Sequence, residues 1–235
     1  MIIKFGSLKQ KRYKGILEKA NHSLHEDVFS MMIDFVNPNS RILDFGCGEG
    51  AFSQRLKDFG CHVDACDIDE TSFKANVDHF INLDLNREHI SDNFDCKYDV
   101  VVALEVIEHL ENPWKFIRDM KSLLTPNGVI VLSTPNISNF ASRLRFMMRG
   151  TFLSFEQASF NYGHITPIPS LQLEYIFKQC GLSILNKKAA GILPLFHFEN
   201  ISCFALFRNI IMPILYPVLS GDKKGWCNAY VLKES

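Results

Sequence analysis

The stretch Arg41-Ile42-Leu43-Asp44-Phe45-Gly46-Cys47-Gly48-Glu49-Gly50-Ala51 decides how this chain reads. Its short apolar run, interrupted by a carboxylate at Asp44, predicts a buried strand over 41–45. Glycines at 46, 48 and 50 break that strand and let the backbone approach a ligand where any Cβ would intrude. Residues 51–57 then start a helix whose unpaired first-turn amides point at the same spot. Strand, glycine turn and helix in that order form a cradle for a nucleotide-like cofactor.

Charge narrows the choice of cofactor. Gly46-x-Gly48-x-x-Ala51 satisfies a dinucleotide fingerprint, with Asp67 about twenty residues downstream, so the glycines alone leave the matter open. Asp44 stands two residues before the first glycine, where it would face the negative pyrophosphate of a dinucleotide. S-adenosylmethionine instead brings a sulfonium and an ammonium, which a carboxylate attracts. Further acids close the apolar runs that follow: Asp67 after Val63-Asp64-Ala65-Cys66, Asp84 after Phe80-Ile81-Asn82-Leu83, and Glu105 after Val100-Val101-Val102-Ala103-Leu104. An acid-lined crevice suits the sulfonium cofactor. A nicotinamide-dependent oxidoreductase and a non-catalytic cofactor-binding protein are the alternatives.

Composition agrees with an enzyme built on one core. At 235 residues one elaborated domain is expected. It divides into a helical leader (1–38), a cofactor-binding half (39–134) and two substrate-side insertions (135–170 and 192–220). A net charge of −1 draws the chain to no polyanion, and nucleic acid is not expected as a partner. Seven cysteines without a Cys-x-x-Cys pair argue against a disulfide framework or zinc ribbon and fit a reducing cytoplasm. The N-terminus lacks the apolar stretch of a signal peptide. Its basic residues Lys4, Lys9, Lys11, Arg12 and Lys14 read as a solvated face.

Strands are expected near 41–45, 61–66, 79–83, 98–104 and 128–133, alternating with helical stretches. The leader is expected to be helical over 8–36, with Val28, Met31, Met32 and Phe35 at helical spacing. Asn112-Pro113 predicts a helix start, asparagine as cap and proline at the first helical position. Residues 170–180 read as a helix closed by Gly181, then a strand over 182–185 and a terminal antiparallel strand over 229–232. The expected fold is a Rossmann-like, doubly wound α/β sheet of seven mostly parallel strands with an antiparallel last strand and helices on both faces.

These motifs, taken in order, resemble the class I S-adenosylmethionine-dependent methyltransferases from about residue 41 to about 184. Asp44-Phe45-Gly46-Cys47-Gly48-Glu49-Gly50 is similar to the family's glycine-rich motif. The resemblance implies that Asp67 holds the ribose hydroxyls and that Asp84 lies beside the adenine amino group, with Phe45, Ile68, Leu85, Leu104 and Glu105 completing the pocket. Tyr98-Asp99-Val100-Val101-Val102 and Leu123-Leu124-Thr125-Pro126-Asn127-Gly128-Val129 resemble its fourth-strand and fifth-strand segments.

A second constellation is Glu105-Val106-Ile107-Glu108-His109. In a helical turn, positions i, i+3 and i+4 share a face. With His164 from Tyr162-Gly163-His164-Ile165-Thr166-Pro167, the set resembles the Glu-x-x-Glu-His plus distant histidine of ubiquinone-pathway O-methyltransferases and small-RNA 2′-O-methyltransferases, which use a divalent metal. On that resemblance Glu105, Glu108, His109 and His164 would hold Mg²⁺ or Mn²⁺, lowering the pKa of a substrate hydroxyl. The other interpretation makes His109 or His164 a general base. Both make His109, His164 and Glu108 the catalytic candidates.

Two segments exceed the minimal fold. Residues 136–169 include the basic and apolar run Ser142-Arg143-Leu144-Arg145-Phe146-Met147-Met148-Arg149. Residues 192–219 are strongly apolar but broken by Glu199, Arg208, Asn209 and prolines, so a membrane-spanning helix is not expected. That segment reads as a packing face or homodimer face, or as a peripheral membrane contact. The Asn/Asp-Pro-Pro-Tyr signature of enzymes methylating base amines is absent. A hydroxyl on a small metabolite, sugar or glycan precursor is the expected acceptor, with a quinone precursor or an RNA 2′-hydroxyl as variants.

Overall fold

Five apolar runs between residues 41 and 135 reach strand length and pair in parallel: β3 (Arg41–Phe45), β4 (His62–Asp67), β5 (His79–Asn82), β6 (Tyr98–Leu104) and β7 (Leu124–Pro135). β8 (Leu182–Ala190) and β9 (Cys227–Glu234) complete a seven-stranded sheet of order β5-β4-β3-β6-β7-β9-β8. β9 runs antiparallel between β7 and β8. The structure, a computed structural model, describes residues 11–191, 210–211 and 214–235. Within that range the expected doubly wound sheet with its antiparallel last strand is borne out.

Alternation along the buried strands feeds two apolar layers, one per face. Leu43, Phe45, Val101 and Ala103 join the layer beneath α3 (Pro113–Ser122) and α6 (Ser170–Gln179). Ile42, Val63, Val100 and Val102 join the layer beneath α1 (Leu24–Met32) and α2 (Ala51–Asp58). Near-continuous apolar sequence is what a strand covered on both faces requires. Asn112 caps α3 as its sequence predicts, its Oδ1 accepting the Lys115 amide at 2.9 Å with Pro113 next in line.

Strand order reverses between β3 and β6. The chain winds outward through β4 and β5, then returns to the other side of β3, which opens a crevice at the carboxyl ends of the two central strands. Every acid singled out in the sequence lies at or just past such an end.

The leader departs from expectation. Residues 12–17 form a hairpin, β1 (Arg12–Tyr13) pairing with β2 (Ile16–Leu17), and α1 begins only at Leu24. Lys14 and Gly15 both have positive φ (48° and 87°), the conformation of a two-residue hairpin turn, and it interrupts the helical pattern. β7 and β8 also run longer than expected. Asn186, Lys187 and Lys188 concealed the second half of β8 because it is an edge strand whose outer face meets water.

The insertion contributes α4 (Phe140–Arg149) and the short α5 (Gln157–Phe160). Most of the apolar segment 192–219 lies outside the described residues, as does the leader before residue 11. Among the described residues no helix is long and apolar enough to cross a membrane.

Candidate functional site

The glycine turn is held from three sides. Asp44, fully buried on β3, accepts the Ser53 hydroxyl of α2 at 2.6 Å. Burial pushes its carboxyl up to about 7, with the Ser53 bond opposing the rise and the Asp67 charge contributing to it. At the end of β4, Asp67 accepts the Gly48 amide at 2.7 Å and the Asp69 amide at 3.0 Å. Gly50 closes the turn at φ 88°, where an added Cβ would stand 2.5 Å from the Ala75 Cβ. Asp44, Gly46, Cys47, Gly48 and Leu104 line a narrow recess over this turn.

The remaining expected cofactor residues divide by position. Ile68 is exposed beside Asp67, an apolar side chain open to a flat ligand. Phe45 turns its ring into the core against Phe94 and Phe116, so only its main chain faces the crevice. Leu85 packs against the same core. Asp84 follows β5 and pairs with Arg87 at 3.3 Å. Asn86 joins this loop to the turn after β6, donating to the His109 carbonyl at 3.1 Å and accepting the Glu111 amide at 2.9 Å.

After β6 the backbone reverses at Glu105, which adopts φ 57°, a left-handed conformation that costs a non-glycine residue about 1 kcal/mol or more. Three contacts hold it there. The Glu105 amide donates to the Ser133 carbonyl (3.1 Å), while its carboxylate accepts the Ser133 hydroxyl (2.8 Å) and the Cys227 thiol (3.1 Å). Residues 107–109 then form one tight 3₁₀ turn rather than an α-helical one. Glu108 enters the core fully buried, with one oxygen accepting the Thr134 hydroxyl at 3.1 Å and Oε1 unpartnered. Burial raises the carboxyl pKa of both glutamates, and for Glu108 the neighbouring Glu105 charge adds to it.

The insertion brings His164 to this turn. The amides of Ile165 and Thr166 donate to the Glu108 carbonyl at 3.0 and 2.9 Å. His164 meets His109 edge to face at a centroid distance of 4.7 Å. A contact at 2.8 Å to the Ser154 carbonyl makes the His164 Nδ1 a donor and leaves Nε2 free. Burial lowers the His109 pKa, and the neighbouring His164 imidazole acts in the same direction. Gly163, at φ 82°, allows the close approach: its Cβ would lie 3.1 Å from the His109 Nδ1.

Ligand atoms of Glu108, His109 and His164 lie within 4.8 Å of one another. An unpartnered buried carboxylate oxygen and two imidazoles fit a divalent cation, with a donor set richer in nitrogen than Mg²⁺ prefers and better suited to Mn²⁺. Glu105, expected among these ligands, is outside the cluster because Ser133 and Cys227 occupy its oxygens.

A cavity of about 410 Å³ joins Glu105, His109 and His164 to Trp226 and to residues 18–22 of the leader. Lys19, His22, Trp226 and Cys227 were not singled out from sequence. The leader residues belong to no periodic pattern, and the others sit next to the site only because β7 and β9 pair. Glu49 fastens the leader over the crevice, accepting the Leu17 amide at 3.2 Å and the Lys74 ammonium at 2.6 Å.

The family model described as a methyltransferase domain matches residues 18–187. The ubiquinone biosynthesis O-methyltransferase of Rickettsia typhi is 33% identical over 129 residues, 52% of this chain and 52% of its own length. Its counterpart from Maricaulis maris is 32% identical over 111 residues, 44% of each chain. The chain thus spans about half the length of the curated relatives it matches. Magnesium protoporphyrin IX methyltransferase from Synechocystis, solved with bound S-adenosylhomocysteine, superposes with a TM-score of 0.57 at 18% identity, covering 90% of this chain and 82% of that one. A SAM-dependent methyltransferase from Archaeoglobus fulgidus gives 0.58 at 20% identity, covering 89% and 94%. The two solved structures share the fold described above.

Proposed function

The chain belongs to the methyltransferase-domain family, and on that premise we propose that it is an S-adenosylmethionine-dependent O-methyltransferase acting on a hydroxyl of a small metabolite, sugar or glycan precursor. The observation that carries the proposal is the juxtaposition of a carboxylate-lined glycine crevice with the Glu108–His109–His164 cluster across the β3/β6 reversal. The names of the curated relatives support oxygen as the acceptor atom and keep a quinone precursor within the acceptor class.

Asp44, Gly46, Gly48 and Asp67 would hold the cofactor, which when bound supplies an electrophilic methyl group. Asp44, which lines the recess, would suit its positive arm and oppose a pyrophosphate, which disfavours the nicotinamide alternative. His109, beside the cavity and with its pKa lowered by burial, would accept the hydroxyl proton, and His164 packs against its ring. In the metal-dependent alternative, Glu108, His109 and His164 would hold a divalent ion, which when bound lowers the pKa of a hydroxyl, and His109 would then be a ligand rather than the base. Positioning supplies much of the acceleration in an in-line displacement. The free cysteines among the described residues support a reducing cytoplasm as the location.

Calorimetric titration with S-adenosylhomocysteine, alone, with Mn²⁺ or Mg²⁺ and with chelator, tests this. Asp67→Ala is expected to weaken binding, and His109→Ala to preserve it while turnover falls. Equal loss of binding in both variants would undo the division of roles.

A further inference from the structure

On the reading that the chain methylates a hydroxyl, we propose that Trp226 is the platform on which the acceptor's ring lies. The chemistry of the cavity around it assigns that ring to the pyranose class rather than to a prenylated quinone precursor. The acceptor has to reach the His109–His164 end of the crevice. The cavity of about 410 Å³ that opens there contains Trp226, whereas the narrow recess over the glycine turn does not. Trp226 therefore belongs to the acceptor's side.

Its main chain is fixed from several sides. The Asn136 amide donates to the Trp226 carbonyl at 2.8 Å, and the Asn136 Nδ2 donates to the carbonyls of Asp222 at 2.8 Å and Lys224 at 2.9 Å. Gly225, at φ 77°, presses against β8, where an added Cβ would stand 2.7 Å from the Ala189 carbonyl carbon. Cys227, next in the chain, donates to the Glu105 carboxylate at 3.1 Å. One corner thus fixes both Trp226 and the turn that carries His109. The indole is half-buried: part of it packs on the apolar layer beneath α1 and α2, and part faces the cavity.

The rest of the lining selects the ring. Among the described residues, every lining side chain except those of Ala20 and Trp226 carries a charged group, an amide or an imidazole. A prenyl chain buried here would strip water from those groups and return no hydrogen bond, which is costly. A pyranose satisfies both parts of the lining. Its hydroxyls exchange hydrogen bonds with the polar wall, and its C–H face, slightly positive, suits the electron-rich face of an indole. A volume of about 410 Å³ also lies near the lower end for ligand pockets, room for a small ring system rather than a long chain.

The test uses the full chain with S-adenosylhomocysteine for binding and S-adenosylmethionine for turnover. The acceptor probes are a set of methyl hexopyranosides and, for the quinone-precursor class, the catechol protocatechuate. Trp114→Phe leaves Trp226 as the sole tryptophan, so its emission reports contact with the ring. A hexopyranoside is expected to shift that emission and to accept methyl, with the catechol about tenfold weaker or worse. Trp226→Ala is expected to raise the hexopyranoside KM about tenfold, and Trp226→Phe, which keeps the core packing, about threefold. S-adenosylhomocysteine affinity is expected to stay within about twofold in both. Preference for the catechol, an unmoved hexopyranoside KM in Trp226→Ala, or no transfer to any hexopyranoside by a chain that binds S-adenosylhomocysteine overturns the assignment. Failure of the wild-type chain to bind S-adenosylhomocysteine overturns the methyltransferase reading itself, and this assignment with it.

Discussion

Cofactor affinity should rise with pH through neutrality, because Asp44 holds a proton that binding has to remove. Full burial raises its carboxyl to about 7 in the free protein, and the Asp67 charge contributes, while Ser53 opposes. A positive ligand arm favours the carboxylate, so the bound state keeps Asp44 ionised. The apparent Kd then carries a protonation penalty of about elevenfold at pH 6 and about 1.1-fold at pH 8. Affinity therefore increases about tenfold over that interval, or about 1.4 kcal/mol. The assay is calorimetric titration of S-adenosylmethionine without acceptor at pH 6, 7 and 8. Using buffers of different ionisation enthalpy counts the protons released. Asp44→Asn should bind weakly and lose most of the slope, and measuring it in a Glu105→Gln background removes the second carboxyl that burial raises to about 7. A wild-type affinity constant within about twofold, or a slope that survives Asp44→Asn in that background, would refute the reasoning. Stability has the opposite sign. The folded chain keeps this proton up to about pH 7 while the unfolded chain loses it near pH 4, so stability falls as pH rises through that window.

Two glycines give sharper structural tests. Gly163→Ala places a Cβ 3.1 Å from the His109 Nδ1 at φ 82°, so turnover should fall about tenfold while S-adenosylhomocysteine affinity stays within about twofold; kinetics and calorimetry on one preparation check both. Gly50→Ala meets the Ala75 Cβ at 2.5 Å and Phe73 at 2.7 Å at φ 88°, which should cost about 2–4 kcal/mol of stability. A thermal melt should then show Tm lowered by roughly 5–15 °C.

Much of the fold was legible because its signals are local. The strand at 98–104 and the cap at Asn112 matched residue for residue, since an apolar run and an Asn-Pro pair act over only a few residues. The helical leader was not legible. Lys14-Gly15 is a weak turn signal beside the helical spacing of Val28, Met31 and Met32. Strand β8 was half visible because its pairing with β9, 45 residues or so away in the chain, is a long-range contact that periodicity does not report.

The candidate site divides along the same line. Sequence by itself determined the parts that are adjacent in the chain: the strand-glycine-helix cradle, the acids that end successive strands, and the Glu-x-x-Glu-His turn. Tertiary structure alone decided which groups converge. Ser133 on β7 and Cys227 on β9 take up the Glu105 carboxylate and leave Glu108 with the two histidines. The leader, expected to be helical over 8–36, instead opens with a hairpin and lays the Lys19 side chain against Gly48. The physical reason is one of range. Backbone preferences act within a few residues, whereas the partner a buried charge finds is set by the packing that brings distant segments together.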